Sequence, residues 1–268
     1  TFPMINFFRK IRKQLADQNK PLKYFRYAIG EILLVVIGIL IALQIDNWNE
    51  ERKVKIEEQI LLNQLREDYQ TNLDQLDSKI EIRTLLINSS KKLLTYFDDP
   101  DAANKDSLVL WMGNLGLTLT FDPIENDLVA SGKINIIQNQ KLKTLLTKWT
   151  TNVVQVQEVE TIYLNSFHYV SSPVINEMGM GRAVSRALYE KGGELPNFLL
   201  SRDDLAPYDF KKSRLEPDME TLLNNAELEG IVTNSIIINE LINSESFTLR
   251  RQILEILDLL DALVDAGG

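Results

Sequence analysis

The stretch YFRYAIGEILLVVIGILIALQIDNWNEERK, residues 24–53, decides how the whole chain is interpreted. Residues 32–43 are an unbroken run of apolar and glycine residues, and apolar and aromatic neighbours extend it to residues 24–48. At about 1.5 Å per residue, a helix of that length measures roughly 37 Å, enough to cross the hydrocarbon core of a bilayer. Aromatic side chains concentrate at membrane interfaces, and those that would anchor this stretch are Tyr24, Tyr27 and Trp48. We therefore expect a transmembrane helix at residues 21–48.

Two other interpretations of this stretch are a cleaved signal peptide and the core helix of a soluble protein. A signal peptide needs a small-x-small cleavage site, and the residues after Ile41 offer no convincing one. A soluble core helix would not normally follow a crowd of basic residues. The basic residues before the run are Arg9, Lys10, Arg12, Lys13, Lys20, Lys23 and Arg26. The sequence thus favours a retained span.

The charge distribution predicts the orientation of the span. The net charge is −9, yet residues 1–27 contain one acidic residue, Asp17, so the negative charge lies in the remainder. Residues 1–20 are expected to form a basic amphipathic helix on an anionic cytoplasmic leaflet. Because positive loops stay inside, the N-terminus is expected in the cytoplasm and the acidic body on the other side. Such a body disfavours nucleic acid as a partner.

One face of the predicted span is small and polar. Steps of three and four residues align Ala28, Glu31, Val35, Gly38 and Ala42. A small-xxx-small pair lets helix backbones approach closely, so this stripe is the candidate helix interface or pore lining. A carboxylate within a span suggests function, but Glu31 could equally lie near the interface and pair with a neighbouring cation. Both interpretations stay open.

The rest of the chain predicts an all-α fold. A stalk helix is expected at residues 49–97, followed by a helical domain at residues 98–268 that packs on it. Apolar residues of the stalk recur at three, four or seven, and these are Leu62, Leu65, Tyr69, Leu73, Leu76, Ile80 and Ile87. A second long helix, 139–172, should pair antiparallel with the first and end or kink at Pro173. Shorter helices are expected at 105–117, 122–132, 182–190, 217–228, 230–243 and 246–265, and LGLTLTF at 115–121 is a weak strand signal.

The sequence contains little that indicates catalysis. It has no cysteine, and its one histidine, His168, is interpreted as a core or interface residue. The acidic residues within 98–106 lack the spacing and glycine of a calcium loop, which favours a solvated turn. We expect no enzyme activity, no metal site and no cofactor.

Three motifs carry a resemblance to a known family. They are MINFFRKIRKQL at 4–15, YAIGEILLVVIGILIALQIDNWNE at 27–50 and TFDPIENDLVASGKINII at 120–137. Together they resemble an uncharacterised single-span membrane-protein family common in Bacteroidota. The resemblance implies a bacterial inner-membrane protein with a periplasmic body, and it implies no activity.

Three functions fit these expectations. The first is a structural or interaction protein, either a homo-oligomer associating through its span and stalk or a component of a membrane-protein complex. The second is an oligomeric channel or ion-coupled subunit that uses Glu31. The third is a periplasmic ligand sensor.

Overall fold

The computed structural model describes residues 21–125, 127–191 and 209–267, and their regular secondary structure is entirely helical. The helices are α1 (Pro21–Asp98), α2 (Lys105–Asn114), α3 (Gln140–Ser166), α4 (Ser172–Glu177), α5 (Gly181–Lys191), α6 (Met219–Leu223) and α7 (Ala226–Gly267). A π-helical segment, Phe167–Ser171, joins α3 to α4. The all-α prediction is thus confirmed for the described residues, and the weak strand signal proves to be irregular chain.

The chain divides into two compact units, residues 1–59 and 60–268. The described part of the first unit is the beginning of α1. From residue 29 to residue 57 its side chains are exposed, except for the half-buried Glu31. An 18-residue window of this helix has a mean hydropathy of 2.3 and is not buried anywhere. By length and composition, this is the one helix of the described residues that could cross a membrane.

In the second unit, one face of α1 is buried against α3 and α7. All seven residues of the predicted apolar stripe, from Leu62 to Ile87, lie in this core. The ring of Tyr69 meets that of Trp149 on α3 at 4.9 Å. On α7, Arg250 binds Asp77 through two hydrogen bonds of 2.6 and 3.0 Å. The apolar stripe of the stalk is therefore buried by other helices of the same chain.

The prediction that the two long helices pair antiparallel is wrong. Tyr69 contacts Trp149, and Arg83, farther along α1, binds Glu160, farther along α3. The two helices therefore run in the same direction. The reason lies in residues 99–139, which carry the chain back alongside α1 before α3 begins. The antiparallel partner of both helices is α7.

The helix expected at residues 122–132 is absent. Residues 121–125 are irregular instead, and a single turn follows in which Ser131 donates its N–H to the carbonyl of Asp127. Gly132 ends that turn with φ of 74°, a conformation that glycine adopts without strain. The capping signals at Asp122 and Gly132 predicted a helix, but only the turn before Gly132 forms, because side chains of neighbouring helices bind the backbone of the preceding residues.

Two predicted helix breaks have different outcomes. Of the two alternatives expected at Pro173, an end or a kink, the structure shows a local distortion: α3 stops at Ser166 and a π-helical segment continues into α4. Because proline lacks an N–H, the helix widens into the π segment, and Ser172 donates to the carbonyl of Phe167. Separate helices at 230–243 and 246–265 are replaced by the continuous α7, whose buried face runs through the expected break, with Asn243, Ser246 and Leu249 all buried. The expected helix at 182–190 is confirmed as α5.

Glycine is required at the turn between α4 and α5. Gly179 has φ of 75°, and a Cβ added there would lie 2.4 Å from the carbonyl oxygen of Leu215. The chain before α6 can therefore pack on this turn only because residue 179 has no side chain.

Candidate functional site

The most elaborate polar arrangement of the second unit holds an extended segment, Phe121–Ile124, which we call the strap. The side chain of Asn72 donates to the carbonyl of Ile124 at 3.2 Å and accepts from its N–H at 2.7 Å. The side chain of Gln75 likewise donates to the carbonyl of Asp122 at 2.9 Å and accepts from its N–H at 3.0 Å. Two amide side chains on successive turns of α1 thus imitate the edge of a β-strand. Pro123 lies between the two clamped residues, where no N–H is required.

The helix α3 holds the other end of the strap. Gln157 donates to the carbonyl of Phe121 at 2.9 Å, and the N–H of Phe121 donates to Glu160 Oε2 at 2.7 Å. The ring of Phe121 is fully buried and meets Trp149 edge-on. These contacts satisfy the backbone of Phe121, Asp122 and Ile124, which explains why the strap does not become a helix.

A buried ion pair adjoins the strap. Arg83 Nη2 donates to Glu160 Oε1 at 2.6 Å, and the two side chains are 2% and 0% exposed. Arg83 Nη1 also donates to Asn243 Oδ1 at 3.0 Å and to Ser246 Oγ at 3.1 Å. Burial raises the pKa of Glu160 and lowers the pKa of Arg83, and the charge of each partner opposes the shift of the other. The pair connects α1, α3 and α7 with the strap.

A second polar layer lies one to two turns away. The hydroxyl of Tyr163 donates to the carbonyl of Leu115 at 2.7 Å and lies 3.1 Å from Ser235 Oγ. Ser235 lies 3.3 Å from Ser90 Oγ. Burial raises the pKa of Tyr163 to about 12. We call the two layers together the central seam, and its members are Arg83, Ser90, Glu160, Tyr163, Ser235, Asn239, Asn243 and Ser246.

The central seam separates two apolar clusters. One contains Leu62 and Leu260, and the other contains Leu93 and Val232. Polar groups buried at such a level must find matching partners, and all atoms of the seam do so. Its hydroxyl, amide and ionic groups are engaged with one another or with backbone. The arrangement is therefore suited to fixing the mutual register of three helices and the strap.

The residues predicted for the span occupy one helix, but no contact between them is described. Val35 and Ala42 are exposed, and a Cβ added at Gly38 would meet no atom within 4 Å. Glu31 is half-buried and engages another group of the chain. Trp48 is 65% exposed. Their roles stay predictions.

The other predicted residues fall at the limits of the described chain. Arg9, Lys10, Arg12, Lys13 and Lys20 lie outside the described residues. Five more of the predicted residues lie in the first turns of α1, where the structure describes the backbone. They are Lys23, Tyr24, Arg26, Tyr27 and Ala28.

The remaining candidates for chemistry have ordinary surroundings. His168 is exposed on the π segment with its ring beside Phe167, so of its two predicted locations the core is wrong and an interface stays a prediction. The acidic run after α1 is a solvated turn, in which Asn104 caps α2 by accepting from Ser107. Within the described residues, no group of three acidic or histidine side chains is placed to hold a metal ion.

The central seam was missed at the level of sequence, although two signals for it exist. Arg83 occupies the stripe position between Ile80 and Ile87, where an apolar residue would continue the pattern. In α7, the residues Ser235, Asn239, Asn243 and Ser246 repeat at helical spacing, and all four are buried. A polar stripe inside an otherwise apolar face indicates a buried network.

Comparison with known proteins gives one match. Residues 31–99 match the model of a family of unknown function, DUF6090. The match covers about a quarter of the chain, including most of α1 with Asn72, Gln75 and Arg83, but not the strap or Glu160. Neither the curated proteins nor the solved structures yield a match. The family likeness of α1 is therefore supported, and it brings no activity with it.

Proposed function

We propose that this chain is a membrane-anchored, non-enzymatic structural or interaction protein of a bacterial inner membrane. The observation that carries the proposal is the exposed apolar helix at residues 29–48. Large contiguous apolar surfaces are rare on soluble proteins, and an 18-residue apolar window of this helix contains no residue that the described part of the chain buries. The basic residues before it favour a cytoplasmic N-terminus. The acidic helical unit would then lie in the periplasm.

We further propose that the protein self-associates through its span. The stripe with Gly38 and Ala42 supports this, because a close helix-helix approach needs small residues and the space beside Gly38 is open. The sequence also predicts association through the stalk. Because the apolar stripe of the stalk is buried against α3 and α7, we propose self-association through the span alone.

The test is the native mass of the full-length protein, extracted gently from its own membrane. Gly38→Leu combined with Ala42→Leu should lower the oligomer mass, because bulk on the small stripe keeps the backbones apart. The matched control, Val36→Phe with Leu40→Phe, adds bulk to the opposite face and should leave the mass unchanged. Equal masses for all three proteins would refute self-association through this stripe.

The channel interpretation predicts a different result. Glu31→Gln keeps the size of the side chain and removes its charge. Under our proposal this change leaves the oligomer mass unchanged and has no effect on ion passage into vesicles. A change in ion passage by an intact assembly would instead favour the channel.

A further inference from the structure

The junction of α3 and α7 carries an outward-facing groove that the central seam does not use. Two side-chain hydrogen bonds fix its register, from Asn234 to Ser166 at one end and from Asn152 to Gln252 at the other. Both walls of the groove consist of residues that lie three, four or seven positions from these four along their helices. The wall formed by α3 and the π segment contains Asn152, Gln155, Ile162, Ser166 and Val170. The wall formed by α7 contains Gly230, Asn234, Ile237, Leu241, Glu245, Thr248 and Gln252.

The middle of this groove is apolar and exposed. Ile162 is 55% exposed, and Ile237 and Leu241 are 63% and 51% exposed. Ile162 lies one turn from Ser166, and the two α7 residues follow Asn234 at three and seven positions. Because Ser166 and Asn234 are bonded, the three apolar side chains border the same groove. They form a surface on which apolar side chains of another molecule can pack.

Each end of the groove opens into a cavity. The cavity beside the π segment measures about 250 Å³ and is lined by Val170, Val174 and Gly230 among others. The cavity at the opposite end measures about 140 Å³ and is lined by Gln155 and Thr248 among others. Glycine is disfavoured inside helices, yet a Cβ at Gly230 would meet no atom within 4 Å. Nothing within the described chain requires this glycine, and its absent side chain deepens the cavity.

The charges of the two cavities have the same sign. Glu227 lines the first cavity and Glu245 lines the second, and neither lining contains a lysine or an arginine. The two carboxylates are separated by 18 positions of one helix, which corresponds to about 27 Å. A complementary molecule would therefore be apolar in its middle and basic at both ends.

We propose that this groove docks an amphipathic α-helix of a partner protein. The helix would be about five turns long, with an apolar stripe at its centre and basic residues near both ends. Helix-in-groove recognition uses anchors at such spacings, and α3 with α7 offers the two ridges between which a third helix packs. This inference goes beyond self-association through the span, because it concerns a different surface and a different partner.

The probe is a panel of labelled synthetic helices with an apolar stripe and lysines at both ends. Binding is measured by fluorescence anisotropy to the full-length protein in zwitterionic nanodiscs, with empty nanodiscs subtracted. Ile237→Ser with Leu241→Ser should weaken binding about tenfold or more, because the apolar anchors lose their contact. The matched control, Ile60→Ser with Val129→Ser, removes exposed apolar side chains elsewhere and should leave the affinity within about twofold.

Charge and cavity are tested separately. Peptides with glutamates at both ends should bind about tenfold more weakly, and Glu227→Gln with Glu245→Gln should remove most of that preference. Gly230→Leu should weaken binding by filling the cavity, whereas Ser244→Leu on the outer face of α7 should not.

Several results would overturn the proposal. They are failure of the whole panel to bind, equal binding of lysine-ended and glutamate-ended peptides, and equal loss in the control variant. If Ile237→Ser with Leu241→Ser instead lowers the mass of the protein's own oligomer, the groove is covered by a second copy and not by a basic helix. The span variants Gly38→Leu and Ala42→Leu are measured independently, so failure here leaves self-association through the span intact.

Discussion

Removing one member of the buried Arg83–Glu160 pair should destabilise the second unit far more than removing both. Glu160→Leu leaves the guanidinium of Arg83 in the core with the neutral Asn243 and Ser246 as its partners. It also removes the acceptor of the Phe121 N–H. An uncompensated buried charge costs about 3–5 kcal/mol, and an unsatisfied buried donor costs roughly 1–3 kcal/mol. We expect Glu160→Leu to lower the free energy of unfolding by at least about 4 kcal/mol.

The double variant Arg83→Met with Glu160→Leu should recover most of this loss. Both charges are gone, and apolar side chains of similar size fill the space between the two apolar clusters. The Phe121 N–H still lacks its acceptor, so we expect a deficit of about 1–3 kcal/mol relative to the wild type. Arg83→Met alone should resemble Glu160→Leu, because it buries an unpaired carboxylate. The coupling energy of the cycle should therefore exceed about 3 kcal/mol.

Urea unfolding of the full-length protein in detergent, followed by tryptophan fluorescence, measures this cycle. Trp149, which contacts Tyr69 and Phe121, becomes the reporter when the other two tryptophans, Trp48 and Trp111, are replaced by phenylalanine in every variant. The Lys91–Glu240 pair is the control, because its side chains are 53% and 51% exposed. Exposed pairs couple by less than about 1 kcal/mol. If the losses of the two core variants simply add, the network does not act as a unit and this reasoning is refuted.

Three further predictions concern the same unit. Raising the pH from 10 towards 12 should destabilise the fold, because burial raises the pKa of Tyr163 to about 12 and the tyrosine of the unfolded chain loses its proton first. Urea unfolding at several pH values should show that the free energy of unfolding falls by roughly 2–3 kcal/mol less in Tyr163→Phe than in the wild type. Gly179→Ala should lower the melting temperature more than Gly132→Ala. Both glycines have a positive φ, but only at Gly179 would an added Cβ collide with the backbone of Leu215. Equal decreases in melting temperature would contradict the role of that contact. Asn72→Leu should cost about 1–3 kcal/mol and speed hydrogen exchange in the strap, because the part-buried N–H and the carbonyl of Ile124 lose their partner. Unchanged exchange would show that the clamp is dispensable.

The sequence predicts the helices well where an apolar face repeats over many turns. The stripe of α1 from Leu62 to Ile87 is buried as expected, and the helix ends at Asp98, before Pro100. Periodicity identifies the buried face of a helix but not its neighbour or its direction. The parallel course of α3 follows from the return path through the strap, which is held by side chains of two other helices. No local signal at residues 122–132 could reveal those contacts.

The candidate site was less accessible to sequence reasoning than the fold. Arg83 and Glu160 are 77 positions apart in the chain, and no spacing rule joins them. Charged residues on amphipathic helices are usually solvated, so Glu160 in α3 resembled its exposed neighbours. The stripe around Gly38 could be predicted because its pattern is local, and its role stays a prediction.

The position of the central seam also determines which registers the second unit can adopt. Apolar helix faces alone tolerate sliding by a heptad, because one aliphatic residue replaces another at each level. A slide of α1 by seven residues would place Leu76 or Ser90 at the level of Arg83. Glu160 would then be buried without a guanidinium, and Asn72 and Gln75 would leave the strap. Each loss costs more than an apolar mismatch. The seam therefore stabilises one register by destabilising the registers shifted by seven residues. A single register gives the exposed groove of α3 and α7 one fixed shape for a partner to bind.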